Sequence, residues 1–207
     1  MLHYETIHRD TLELLKKIQS LELFAGTRLV GGTALALQLG HRQSIDLDFF
    51  GKMDASLEEI AIELSDFANT KPLSSSKAMR FLIVDGVKVD IVNYPYYWID
   101  NPVIEDGITL AGIKDISAMK LSAITNRGTK KDFIDLYFLL KEFSFSELID
   151  LYLKKFAGAQ LFTVLKSLTY FEDAETDPMP VMINPINWEE VKTVIVSTVN
   201  QYLNHNI

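Results

Sequence analysis

The sequence predicts an α+β fold: a mixed β-sheet with flanking helices over residues 1–110, followed by a helical half over 111–207. Three observations carry this. Between residues 29 and 50 a strand, a Gly31-Gly32 turn, a short apolar helix and a second strand follow one another. Two β-rich runs, 78–84 and 87–93, are joined by Asp85-Gly86, a two-residue link that signals a hairpin. From Asp115 onward the apolar residues recur at helical rather than alternating spacing.

In chain order, 4–20 reads as an amphipathic helix with Leu12, Leu14, Leu15 and Ile18 on one face. Residues 28–30 form a short strand. Thr33 is placed to cap a helix over 33–39 that Gly40 closes. Residues 45–50 form a strand whose alternation buries Ile45 and Leu47 and turns Asp46 and Asp48 the other way. Ser56 caps a helix reaching about Asn69, with Glu58 and Glu59 well placed in its first turn. In the second hairpin strand Asp90 shares a face with Lys88 and Val92, while Val87, Val89 and Ile91 take the other. Pro95 ends that strand, and 108–110 is one more. Helices follow at 116–124, 131–142, 146–156, 160–171 and 188–203, the last two separated by Asp177-Pro178-Met179-Pro180.

The 207 residues suffice for a substantial core, and 48% hydrophobic content describes a soluble globular protein. No apolar run spans a bilayer and no charged-then-apolar leader is visible, so no membrane partner is expected and the simplest compartment is the cytoplasm. The absence of cysteine excludes disulfides and thiolate zinc, and the four histidines lack ligand spacing; any metal is hard and oxygen-bound. A net charge of −8 argues against non-specific coating of nucleic acid. One basic run departs from it: Lys114, Lys120, Arg127, Lys130 and Lys131, against the single acid Asp115. Such a run reads either as a solvated helix face or as a nucleic-acid contact.

Asp46 and Asp48 are two apart on a strand, just downstream of a turn able to hold phosphate. Adjacent like charges repel, and a fold tolerates them mainly when a cation lies between them. Asp90, alone in an apolar strand, either pairs with Lys88 or Arg80 or completes a three-carboxylate metal site. Two metal ions on such a site can hold the attacking and leaving oxygens of a phosphoryl-type transfer. Gly-Gly-Thr and Asp-x-Asp are each weak signals; in this order, with Asp90, they are specific. Lys120, with Ala118, Met119, Leu121 and Ile124 packing around it, is either a site residue or an ordinary surface lysine, and Asp135, set among Phe133, Ile134, Leu136, Tyr137 and Phe138, is either partnered, as with Lys131 one turn earlier, or functional.

These motifs resemble the nucleotidyltransferase superfamily related to DNA polymerase β, and more closely the AbiEii/AbiGii nucleotidyltransferase toxins of type IV toxin–antitoxin systems. The resemblance rests on GGTALAL, HRQSIDLDFF, VKVDIV and DISAMKLSAITNRGTKKDFIDLYFLL, over roughly residues 29–140; the tail after about 143 carries no matching motif. It implies a nucleotidyltransferase-like sheet, with the helical half completing the active site. It implies that Gly31, Gly32 and Thr33 bind the triphosphate of an NTP, that Asp46 and Asp48 coordinate Mg2+ with Asp90 as third carboxylate, and that Lys120 neutralises nucleotide phosphate. Asp135 then activates the acceptor, and Arg127, of the same motif, is placed with Lys120 among the nucleotide-binding residues. A tRNA 3′ end or a protein hydroxyl is the implied acceptor, and an antitoxin protein the implied partner. The competing readings are a nucleotide-sugar-dependent glycosyltransferase, which also uses Asp-x-Asp, and a non-catalytic binding module on the same fold.

Overall fold

A computed structural model describes residues 1–206, which divide into two compact units: Met1–Tyr96 with Asn101–Gly112, and Tyr97–Asp100 with the chain from Ile113 on. The first unit holds β1 (Thr27–Val30), β2 (Leu47–Gly51), β3 (Thr70–Ser75), β4 (Met79–Val84), β5 (Val87–Asn93), β6 (Val103–Glu105) and β7 (Ile108–Leu110), with helices α1 (Arg9–Ser20), α2 (Gly31–Leu39) and α3 (Leu57–Ser65). The strands form one mixed sheet in the order β3-β4-β5-β2-β1-β7-β6. β2 runs antiparallel to β1 and parallel to β5. Leu47, Phe49, Leu82, Val89 and Ile91 are fully buried, and Phe24 meets Phe49 edge-on at 5.2 Å.

Local chemistry explains most elements. Asp85 and Gly86 both take positive φ, as the tight hairpin turn between β4 and β5 requires. Gly40 ends α2 in the left-handed conformation. Ser56 and Glu59 cap each other reciprocally at the start of α3, which stops at Ser65, short of Asn69. Two expectations change. The helix over 4–20 is broken: Tyr4–Thr6 is a single 3-10 turn, and the Thr6 carbonyl accepts from Ser44 N at 2.9 Å instead of continuing a helix. Ile45 precedes β2 and is 54% exposed, so the buried alternation starts at Leu47.

The second unit is helical: α4 (Ile113–Asn126), α5 (Lys130–Glu142), α6 (Phe145–Lys155), α7 (Leu161–Leu168), α8 (Glu172–Glu175) and α9 (Trp188–Asn206). The expected helix over 160–171 stops early, at Leu168, because Thr169 leaves helical geometry, and α8 begins beyond it at Glu172. Phe133 packs against Phe171 and Trp188 at ring distances of 4.8 and 6.0 Å. Tyr97–Asp100 is held here by the buried Asp115, which accepts from Ile99 N and Asp100 N at 2.9 Å and from Lys155 Nζ at 2.6 Å. Among the described residues no helix is long and apolar enough to cross a membrane.

Candidate active site

In the sheet unit the site is built where β1 hands over to α2. Gly31 has φ +69°, and a Cβ there would collide with the Asp48 carboxylate, whose Cγ would be 3.0 Å away. A side chain at this position is excluded twice, by conformation and by the acid packed against it. At Gly32 a Cβ would meet Arg42 Nη2 at 2.5 Å and Ser44 Oγ at 3.2 Å. Val30, at the cap position of α2, offers no side-chain acceptor, so the first amides of this nine-residue helix lack a side-chain cap. Thr33 is not that cap: it lies inside α2, and its hydroxyl donates to the Asp46 carbonyl at 2.5 Å and lies 2.9 Å from Ser44 Oγ. The bond ties the turn to the segment that carries Asp46 into β2.

Asp48 stands opposite Val30 on one side and opposite Asp90 on the other, the latter across the parallel β2–β5 pair. Residues so paired present their side chains on one face of the sheet. Asp90 is 14% exposed; one of its oxygens binds Lys88 Nζ at 2.5 Å, and the other, Oδ1, is buried with no hydrogen-bond partner. Arg80, the alternative partner, lies opposite Ile91 and so on the other face. Lys88 is half-exposed. Burial pulls its pKa down, but the hydrogen bond to Asp90 and the charges of Asp90, Asp48 and Asp46 outweigh that and hold it above the usual lysine value. One ammonium therefore sits in the field of all three carboxylates.

Asp46 lies just before β2, while Asp48 and Asp90 are brought face to face. Among the described residues no group of three or more His, Asp or Glu side chains is arranged as a metal site. The donor chemistry nonetheless fits a hard divalent cation. All three groups are carboxylates, and Asp90 Oδ1 is an acceptor buried without a donor, a costly state that an added cation relieves.

Lys120, Arg127 and Asp135 lie in the helical unit, and Lys120 is no surface lysine. Its ammonium is buried between Asp132 Oδ1 at 3.0 Å and Asp135 Oδ2 at 2.5 Å, both carboxylates being 0% exposed. Asp135 on α5 thus has a partner in Lys120 on α4. Thr129 Oγ1 donates to Asp132 Oδ2 at 2.5 Å, and Arg127, 65% exposed, approaches the same oxygen at 3.7 Å. Burial pushes the Asp132 carboxyl up, but the Lys120 charge and the bonds from Thr129 and Lys120 outweigh it, leaving the pKa below the usual aspartate value.

The basic run does not form one face. Lys130 is buried and donates from Nζ to the carbonyls of Glu175, at 3.0 Å, and Asp177, at 2.5 Å. Lys114 pairs with Asp100 at 3.5 Å. Arg127 and Lys131 remain exposed. Sequence reasoning passed over Arg42, buried against Gly32, and Asp132, quoted within a motif but given no role; only spatial proximity reveals either.

The model of the family described as nucleotidyl transferase AbiEii toxin, type IV toxin–antitoxin system, matches residues 13–201, well into the tail where no motif was visible. An uncharacterized protein of Aquifex aeolicus (strain VF5) is 36% identical over 203 residues, which cover 95% of this chain and 98% of that one. The fold is similar to that of JHP933 from Helicobacter pylori, with a TM-score of 0.61 and 18% identity over 94% of this chain and 92% of that one. It is also similar to that of MenT4, a nucleotidyltransferase toxin from Mycobacterium tuberculosis H37Rv, with a TM-score of 0.57 and 15% identity over 92% and 84% of the two chains. With the family match spanning nearly the whole chain, the glycosyltransferase and non-catalytic readings give way: this is a nucleotidyltransferase, and the chain belongs to the AbiEii family of type IV toxin–antitoxin toxins.

Proposed function

We propose that the protein moves a nucleoside monophosphate from an NTP to an acceptor hydroxyl in a Mg2+-dependent reaction that releases pyrophosphate, and that the acceptor is a tRNA 3′ end. The observation that carries this reading is the juxtaposition of Asp48 and Asp90 across β2 and β5, beside a Gly31 turn that has room for no side chain. Asp46, Asp48 and Asp90 would hold the magnesium. Bound there, the cation neutralises the charge that develops on the phosphates.

The chain's own part is positioning. The uncapped amides that open α2 donate to phosphate oxygens, as helix N-termini do. Gly31 lets the backbone come close, and the Thr33 bond to the Asp46 carbonyl fixes the distance between the turn and the carboxylates. The acceptor oxygen bonds to the α-phosphorus as the bond to pyrophosphate breaks. In this reading Lys120 serves phosphate only if it leaves its two carboxylates, and Asp135 acts first by positioning the Lys120 ammonium. The setting is the cytoplasm, and a cognate antitoxin protein is the expected partner of a toxin of this family.

The test is incubation with each labelled NTP, Mg2+ and total tRNA, with pyrophosphate release and label on the RNA read together. Both signals are expected with at least one NTP, and neither without metal. Pyrophosphate release with no labelled RNA replaces the tRNA acceptor by a protein or small-molecule hydroxyl. Silence with every NTP removes the reading.

A further inference from the structure

Lys88 is a cation seated on the carboxylate face and bound to Asp90, and the reading above gives it no role. Its ammonium binds one oxygen of Asp90 at 2.5 Å, while the other oxygen is buried without a donor. Asp48 stands directly opposite Asp90, and the charges of Asp46 and Asp48 also act on Lys88. The lysine stem is 49% exposed, whereas the carboxylate it binds is 14% exposed. The ammonium can therefore swing into solvent with its charge intact, and the carboxylate cannot follow.

Resting on the metal reading of this site, we infer that Lys88 is a displaceable counter-cation. In the metal-free protein it takes the place of the divalent ion at Asp90. When metal and nucleotide arrive together it leaves Asp90 and pairs with the triphosphate. Two consequences follow from charge alone. Without nucleotide, a divalent cation has to compete with an ammonium already in place, so the protein binds metal weakly. With nucleotide, the triphosphate draws the ammonium off, so metal and nucleotide bind with positive coupling, each raising the affinity for the other by the same factor. The device keeps a site of three carboxylates electrostatically quiet until its substrate is present.

The experiment titrates Mn2+ into the full chain, followed by electron paramagnetic resonance of the unbound ion, with and without a non-hydrolysable NTP analogue. Lys88→Met should tighten Mn2+ binding in the absence of nucleotide by about tenfold, and should shrink the enhancement produced by the analogue by a similar factor. In the Lys88→Met, Asp90→Asn double variant the gain should vanish, because the two residues act as one pair. A gain that persists without Asp90, or Mn2+ affinity unchanged in Lys88→Met, overturns the inference. Asp48→Asn separates this failure from that of the site itself. If Asp48→Asn weakens Mn2+ binding while Lys88→Met changes nothing, only the role of Lys88 falls; if Asp48→Asn leaves Mn2+ binding unaltered, the metal reading falls with it. Lys88→Gln, of nearly the same length, repeats the measurement should the methionine variant fold poorly.

Discussion

The sheet unit and the helical unit each set several aspartates around a single lysine, and they do so in opposite ways. Around Lys88 the pairing is half-open: the lysine is half in solvent, and Asp90 keeps one buried oxygen without a donor. Around Lys120 the pairing is sealed: ammonium and carboxylates are all buried, and Asp132 bonds to Thr129 as well. A buried ion pair is tolerated when its remaining lone pairs are satisfied, and is strongly destabilising when one partner is removed. The helical cluster meets the first condition and the sheet cluster does not. The same residue types therefore stand in two states, buried and paired in one unit and with Asp90 Oδ1 left without a donor in the other.

The sharpest way to break this comparison is to remove a charge from each side. Asp48→Asn should lower nucleotidyl transfer by about 10³-fold or more, since a metal ion stabilises the transition state by several kcal/mol. Melting temperature should hold or rise, because Asp48 faces a like charge directly across the strand pair. Single-turnover rates and a thermal melt check both halves. A variant that melts early would move Asp48 to the structural side of the comparison.

Lys120→Met should do the reverse. It removes the ammonium from between two buried carboxylates, and breaking such a pair costs about 3–5 kcal/mol. The expected result is a large loss of stability in denaturant titrations at unchanged m-value, with part of it restored by adding Asp135→Asn. Full stability in the single variant would show that Lys120 is not a lock and is available to phosphate at little cost.

Much of the sheet unit is legible in the residues because its signals are local. Asp85-Gly86 demands positive φ at both turn positions, and the alternation of Leu47 and Phe49 with Asp48 marks β2. The strand β6 escaped notice although Asp106-Gly107 repeats the same signal, with φ of 51° and 80°, because the strand it closes is only three residues long. The strand β3 was hidden by Pro72, which is tolerated there at the sheet edge beside a register shift. Thr33 looked like a cap because caps are local; its partner is a carbonyl thirteen residues away. Lys120 illustrates the general limit. Its partners lie 12 and 15 positions downstream on another helix, a spacing that no periodicity reveals, and counting five basic residues between 114 and 131 cannot tell the buried ones from the exposed.

Of the basic run, only the exposed members can meet a nucleic acid. Lys130 is structural, so the exposed pair Arg127 and Lys131 is the one to reverse. Arg127→Glu with Lys131→Glu should weaken labelling of tRNA by about a decade while sparing nucleotide binding, and wild-type labelling should fall as salt rises. Salt-independent labelling, equal in both proteins, would discard RNA contact at this place.

The smallest effect tests how the sealed cluster is wired. The Asp132 pKa is depressed, so its ionised form stabilises the fold above the carboxyl's unfolded value of about 3.9, and that contribution is lost as pH falls through the lower folded value. Thr129 contributes by donating to the ionised oxygen at 2.5 Å. Thr129→Ala should therefore cost about 1.5 kcal/mol near pH 7, the low end for a hydrogen bond to a charged group. The cap of α5 is not at stake, because Thr129 makes no side-chain cap bond and its carbonyl, which accepts from Asp132 N, is retained. As the solution is acidified below about pH 4 the wild type loses what the variant never had, and the two melting temperatures should converge. Thermal melts of both proteins at pH 7 and near pH 3 decide it. A difference that is the same at both pH values would mean that the Thr129 hydroxyl does not act through the charge of Asp132, and that Lys120 alone keeps that carboxyl ionised.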